Sequence, residues 1–225
     1  SHGFRGFRYR RKRLMIPSEV LVGNTEKFEM IANAYDTPER IRIAKISADA
    51  IRGDLLKHGI DTKDMDAIDF GCGTGLVGIG LLDCFRSVLF LDTSESMICR
   101  VEEKLRNSDV RNAGTLCYDL EKESLSDLRA DCIFMAQVLL HIQDTEAILS
   151  RLYDILHEGG QLLLVDFDRN EQIVSDLVHH GFDQHELTCI LRSIGYKRVH
   201  ANTIHSGSKI FMGQDASMFV MGAGK

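Results

Sequence analysis

Three glycines at alternate positions, Gly71, Gly73 and Gly75, constrain this 225-residue chain more than any other feature. A short apolar-edged segment from Met65 to Phe70 runs into them. An apolar helical pattern follows at Leu76, Val77, Ile79, Leu81 and Leu82. The order reads as strand, tight turn, helix. Glycine takes backbone dihedrals closed to other residues and lets a ligand approach the main chain. Asp69, just before the first glycine, sets the sign of that ligand. Its charge repels a pyrophosphate and favours a cationic group.

From residue 65 onward, short apolar segments alternate with helical ones. Strands are expected at 66–70, Ser87–Asp92, Ala113–Tyr118, Ala130–Ala136 and Gly160–Asp166. Helices are expected near 75–84, 94–106, 121–128, 143–157 and 183–193, with Gly159-Gly160 closing the fourth and opening the fifth strand. This alternation predicts a doubly wound α/β fold with a mostly parallel sheet. Tyr196–Thr203 and Ser217–Met221 are strand-like, with Gly207 and Gly213 between them, and read as a long antiparallel hairpin. They bring the expected strand count to seven. Ahead of the core, 25–60 reads as mostly helical. Phe28, Ile31, Ala32 and Tyr35 share a helical spacing, and Thr37-Pro38 reads as a cap followed by the first helical position. One domain over 25–225 is expected, with its core sheet in 65–225.

No apolar run reaches the roughly 18 residues of a membrane span. The six cysteines form no C-x-x-C pair and sit mostly in apolar segments. Reduced, buried thiols in a cytoplasmic protein are the expectation, with no metal site. Residues 1–13 hold six basic residues and no acidic one; removing them from the net −6 leaves −12 for the rest. An acidic body argues against a nucleic-acid groove. Residues 1–24 are expected to form a flexible basic leader, in part an expression remnant at Ser1-His2-Gly3, although the basic arm could instead bind nucleic acid or anionic lipid.

Ligands of open α/β sheets lie outside the carboxyl ends of the strands. The first strand ends in Asp69 and the glycine loop, the second in Asp92-Thr93-Ser94, and the third in Tyr118-Asp119-Leu120. The fourth runs into Ala136-Gln137-Val138-Leu139-Leu140-His141, and the fifth into Asp166-Phe167-Asp168-Arg169-Asn170. The last stretch lacks the glycine and the final glutamate of a calcium loop, having Glu171 and Leu177 there, and reads as solvated strand-end acids that could line an acceptor pocket. His179-His180 lies on a crossover where a histidine could act as a base.

Asp69-Phe70-Gly71-Cys72-Gly73-Thr74-Gly75 resembles the first motif of class I S-adenosylmethionine-dependent methyltransferases. Asp92, Tyr118-Asp119, Leu139-Leu140-His141 and the terminal hairpin follow in the order of that family. Ala34-Tyr35-Asp36 resembles the ubiquinone/menaquinone-biosynthesis type, in which preceding helices form a lid. His157-Glu158-Gly159-Gly160 departs from the family's usual Lys/Arg-Pro-Gly-Gly.

The resemblance implies S-adenosylmethionine as cofactor and S-adenosylhomocysteine as product. It implies that Gly71, Cys72, Gly73 and Gly75 cradle the methionine part while Asp69 holds its ammonium, directly or through water. Asp92 and Thr93 would meet the ribose, although Asp92 could instead cap the next helix, a job equally open to Thr93 or Ser94. Met97 would cover the adenine, Asp119 and Leu120 would border it, and Ala136 and Gln137 would touch the cofactor. Tyr35 would close the site. His141 and His180 are the candidate bases.

Two other readings remain open. Gly73-Thr74-Gly75-Leu76-Val77-Gly78 also fits the G-x-G-x-x-G of an NAD enzyme, against which stand Asp69, Asp119 and the hairpin tail. A non-catalytic adenosylmethionine-binding module is the other. With prolines only at 17 and 38, the fourth strand cannot end in the Asn/Asp-Pro-Pro-aromatic motif of nucleic-acid amino-methyltransferases. No Pro-Cys pair or paired glutamates point to cytosine or arginine acceptors. A small-molecule acceptor remains, in a pocket expected to be shaped by the lid and by 167–182. Oligomeric state is left open.

Overall fold

The computed structural model describes residues 35–225. The leader and the helical pattern before Tyr35 lie outside them. Helix α1 (Pro38–Lys57) starts as its sequence dictates. The Thr37 side chain accepts from the Arg40 amide at 3.3 Å, and Pro38 stands where no intrahelical amide is needed. The other elements are β1 (Asp66–Phe70), α2 (Leu76–Gly80), β2 (Ser87–Asp92), α3 (Glu95–Arg106), β3 (Ala113–Cys117) and β4 (Ala130–Ala136). After a short 3-10 turn at Leu139–His141 come α4 (Thr145–Ile155), β5 (Leu156–Phe167), α5 (Gln184–Ile194), β6 (Lys197–Phe211) and β7 (Gln214–Gly224).

Among the described residues the strands form one seven-stranded sheet in the order β3-β2-β1-β4-β5-β7-β6. The first five are parallel, and β7 is antiparallel to both β5 and β6. The central strands are buried on both faces. In β4, Ile133 and Met135 join the core beneath α4 and α5, while Cys132 and Phe134 join the core beneath α1 and α3. Burial of each such side chain stabilises by about 1.5–3 kcal/mol relative to exposure. This explains the near-continuous apolar runs of a sheet covered on both sides.

Four boundaries differ from the sequence reading. No helix forms at 121–128. The Asp119 carboxylate accepts from the Glu121 amide at 3.0 Å, giving the chain a local turn in place of a helix. Its charged residues leave only Leu125 and Leu128 as large apolar groups, too few for a buried stripe. Helix α2 stops at Gly80, short of 84. Strand β5 starts at Leu156, so Gly159-Gly160 lies inside it. The chain end pairs there, with the Gly159 amide donating to Lys225 O at 3.1 Å and the Lys225 amide to Gly160 O at 2.9 Å. The hairpin is longer than its apolar core suggests. Phe211 pairs with Gln214 across Met212-Gly213, whose φ angles of 48° and 76° match a type I′ turn.

Candidate active site

A cavity of about 840 Å³ opens at the carboxyl ends of β1, β2 and β4. That is within the size range of sites for nucleotide-sized ligands. The first half of α1 roofs it through Arg40, Ile43, Ala44 and Ser47. Tyr35 and Asp36 stand before that helix, and Lys209 and Ile210 reach in from the end of β6.

The glycine loop forms one wall. Gly71 has φ 66°, and a Cβ there would lie 2.6 Å from a Val138 methyl. Gly73 has φ 56° and nothing within 4 Å of a notional Cβ, so its main chain faces open space. Cys72 lines the same wall, and burial pushes its thiol pKa up. Two predicted members lie elsewhere. Gly75 packs toward Val101 and Phe90, beneath α3. Asp69 is turned under the loop, almost fully buried, and accepts from the Gly78 amide at 3.0 Å. Burial pushes its pKa up to about 8, and nearby Asp92 adds to the rise. Asp69 therefore supports the loop from beneath, and its side chain is not on the cavity wall.

Asp92 is on that wall, at the end of β2. Its Oδ2 accepts from the Gly73 amide and its Oδ1 from the Ser94 amide, both at 2.9 Å. Two oxygens offer about four acceptor positions, so half remain for a ligand. Ser94, not Asp92, caps α3 by accepting from the Met97 amide at 3.4 Å. Thr93 and Met97 line the cavity beside Asp92. Asp119 and Leu120 line it from the loop after β3.

The end of β4 supplies Ala136, Gln137, Val138 and His141. Gln137 has φ 56°, a strained conformation for a residue with a side chain, held by its amide donating to Val165 O at 2.8 Å. Such strain concentrates at functional sites. His141 follows one 3-10 turn later, and partial desolvation lowers its pKa below the usual histidine value.

His180 does not join this cavity. It is exposed, and its carbonyl accepts from the Asn170 amide at 2.7 Å. The crossover from β5 to α5 packs over the 3-10 turn through His179, whose amide donates to Leu140 O at 2.8 Å, and so points His180 outward. The segment 167–182 contributes no lining residue either. Asp168 accepts from Gln184 Nε2 at 2.7 Å and from Ser217 Oγ at 2.6 Å, and Asp166 is wholly buried with its pKa pushed up to about 7 by that burial. The expected pocket wall is replaced by the end of β6.

Asp36 is a site residue that motif reading passed over in favour of Tyr35. Its Oδ1 accepts from Thr74 Oγ1 and its Oδ2 from Lys104 Nζ, both at 2.6 Å. Tyr35 lies under the Arg100 guanidinium, 4.1 Å from its ring centre. The adjacent Tyr35-Asp36 pair was the available signal. Lys209 and Ile210 had none, because they lie past the apolar part of their strand.

A family model described as a methyltransferase domain matches residues 68–162. An uncharacterized methyltransferase of Schizosaccharomyces pombe is 24% identical over 186 residues, covering 66% of each chain. A ubiquinone biosynthesis O-methyltransferase of Coxiella burnetii is 25% identical over 158 residues, covering 69% of this chain and 67% of its own. The chain thus spans about two thirds of the length of these relatives. The crystal structure of a SAM-dependent methyltransferase from Aquifex aeolicus superposes with a TM-score of 0.63 at 21% identity, over 88% of this chain and 96% of that one. In sequence the chain is similar to S-adenosylmethionine-dependent methyltransferases, and it shares their fold. The cofactor of that class is S-adenosylmethionine. The wall suits such a group, with an acid at the end of β2, open space where a Gly73 side chain would stand, and apolar Leu91 and Met97 also lining it.

Proposed function

We propose that this chain transfers a methyl group from S-adenosylmethionine to a small-molecule acceptor by in-line displacement. The observation that carries the reading is Asp92, fixed by two backbone amides on the wall of an 840 Å³ cavity with acceptor positions to spare. When bound, S-adenosylmethionine supplies an electrophilic methyl on its sulfonium.

The chain's own residues align the partners and exclude water. Asp92 and Thr93 hold the ribose. Met97, Asp119 and Leu120 frame the adenine. Gly71, Cys72 and Gly73 meet the methionine part through the main chain, joined by Ala136 and Gln137. Tyr35 and α1 cover the cavity. His141, uncharged at neutral pH, is placed to accept a proton from the acceptor. The roofed shape of the cavity favours a small acceptor over nucleic acid. All six cysteines are free, which suits a reducing compartment such as the cytoplasm. Among the described residues no helix is long and apolar enough to cross a membrane.

Isothermal titration of the full chain with S-adenosylmethionine and S-adenosylhomocysteine tests the reading. Micromolar binding of both, lost in Asp92→Ala, is the expected result. Absence of binding to the unaltered chain overturns it.

A further inference from the structure

A second cluster of donors lies outside the cavity, where the end of α1 meets β6. Asp54, in the last turn of α1, and His58, which caps that helix, stand four residues apart and so on one side of it. His200 reaches them from β6. One ring nitrogen of each histidine and one carboxylate oxygen lie within 4.8 Å of one another. The cluster sits about 10 Å along α1 from Ser47, the last cavity-lining residue of that helix.

The hydrogen-bond pattern is unusual. His200 Nδ1 is 2.8 Å from the Arg198 carbonyl oxygen, and a carbonyl only accepts, so Nδ1 carries a hydrogen. In a neutral ring that leaves Nε2 with a bare lone pair. Yet Nε2 lies 2.9 and 2.8 Å from the two oxygens of Asp54, which are also acceptors. Either a proton on Nε2, making an ion pair with Asp54, or a bound metal ion fits between them. The Asp54 side chain is 4% exposed, so its charge is poorly screened by water. A ring nitrogen tied to a backbone carbonyl, with the other left as a donor of electrons, is the usual posture of a metal-bound histidine.

His58 adds the third group. Its ring stacks on His200 at 3.8 Å, and its Nδ1 lies 3.6 Å from Asp54 Oδ2. It stands at the helix end, partly exposed, where it can exchange its present bond to the Asp54 carbonyl for a ligand. Space at the convergence point is kept by Gly222, the residue paired with His200 on β7. A Cβ there would lie 2.5 Å from His200 Nε2 and 2.8 Å from Asp54 Oδ1.

We propose that Asp54, His58 and His200 bind a divalent transition-metal ion of the zinc class, which clasps α1 to the edge hairpin. Two imidazoles and one carboxylate suit zinc or cobalt rather than calcium or magnesium. The helix so held is the one that roofs the cavity, so the ion stabilises the roof without entering the site.

The test is a titration of the chelator-treated full chain with cobalt(II), followed by visible absorption, and with zinc(II), followed by calorimetry and thermal unfolding. Expected are one equivalent of cobalt, visible ligand-field bands without a thiolate charge-transfer band, and a zinc-dependent rise in the unfolding temperature. His200→Ala and His58→Gln lose these at least tenfold in affinity with unchanged far-ultraviolet circular dichroism, and Asp92→Ala keeps them. Absence of saturable binding, a thiolate band, or unchanged binding in His200→Ala overturns the proposal. So does a proton on His200 Nε2 seen by nitrogen-15 resonance in the presence of zinc.

Discussion

Asp36 Oδ2 accepts from Lys104 Nζ at 2.6 Å, joining the residue pair before α1 to α3 across the glycine loop. The same ammonium donates to Thr74 O at 2.8 Å, and the Thr74 hydroxyl donates to Asp36. Three elements of the cavity wall therefore meet at one partly buried carboxylate. Lys104→Met removes its charge partner. Hydrogen bonds to charged groups contribute about 1.5–3 kcal/mol, and each kcal/mol moves the midpoint of a chain this size by about 2–4 °C. The variant is expected to melt several degrees lower by calorimetry and to bind S-adenosylhomocysteine about tenfold more weakly. Unchanged affinity would mean that the latch does not position the wall.

Gly71 and Gly73 share a left-handed backbone but differ in surroundings, which separates two costs. Gly73→Ala has room for its methyl, so only the conformational cost of about 1–2 kcal/mol applies. Gly71→Ala adds the overlap with Val138, an overpacking of about 1–3 kcal/mol. Urea unfolding should rank wild type above Gly73→Ala and Gly73→Ala above Gly71→Ala. Calorimetry should show weakened cofactor binding in both. Equal stability of the two variants would contradict the geometry.

The parallel sheet was legible because its central strands are buried on both faces and end in acids or glycines, as Asp92 and Gly71 show. Asp69 was misread for a reason that sequence cannot reveal. The side chain of a residue at a strand end can enter the cavity or pass beneath the loop, and only packing decides. Here Gly78 leaves space for the carboxylate and an amide to receive it. Lys209 was hidden because most of β6 is exposed on at least one face and carries polar residues, which leave no alternating signal. His180 looked equivalent to His179 in sequence. The packing of His179, with Nε2 2.6 Å from Ile142 O, decides between them.

Burial of Asp69 and Asp166 makes stability fall as pH rises. Their folded pKa values, about 8 and about 7, lie above the roughly 3.9 of an unfolded aspartate. The protonated folded form is therefore favoured. Its contribution is complete below about pH 4 and is lost as pH climbs through the folded values. One such group gives a slope of about 1.4 kcal/mol per pH unit, and two give twice that between about pH 4 and 7. Asp69→Asn keeps an oxygen for the Gly78 amide and does not ionise. Its melting temperature should fall less than that of the wild type between pH 6 and pH 8. Parallel curves for the two proteins would show that Asp69 is ionised in the fold throughout that range.

His141 and His180 make opposite predictions for catalysis. His141 lines the cavity with a pKa held below the usual 6.5 by desolvation, so the neutral ring is the prevailing form at pH 7. If it takes the acceptor's proton, turnover falls as pH drops through its pKa, because the protonated ring cannot accept. His141→Gln should lower kcat by about 10²–10⁴ at pH 7 and remove that acidic limb, with little change in affinity for S-adenosylhomocysteine. His180→Gln, outside the cavity and exposed, should leave kcat and the profile unchanged. A pH profile of methyl transfer from labelled S-adenosylmethionine, taken on both variants with one acceptor, reads all of this. Retention of the acidic limb in His141→Gln would assign the limb to another group and leave His141 as a wall residue.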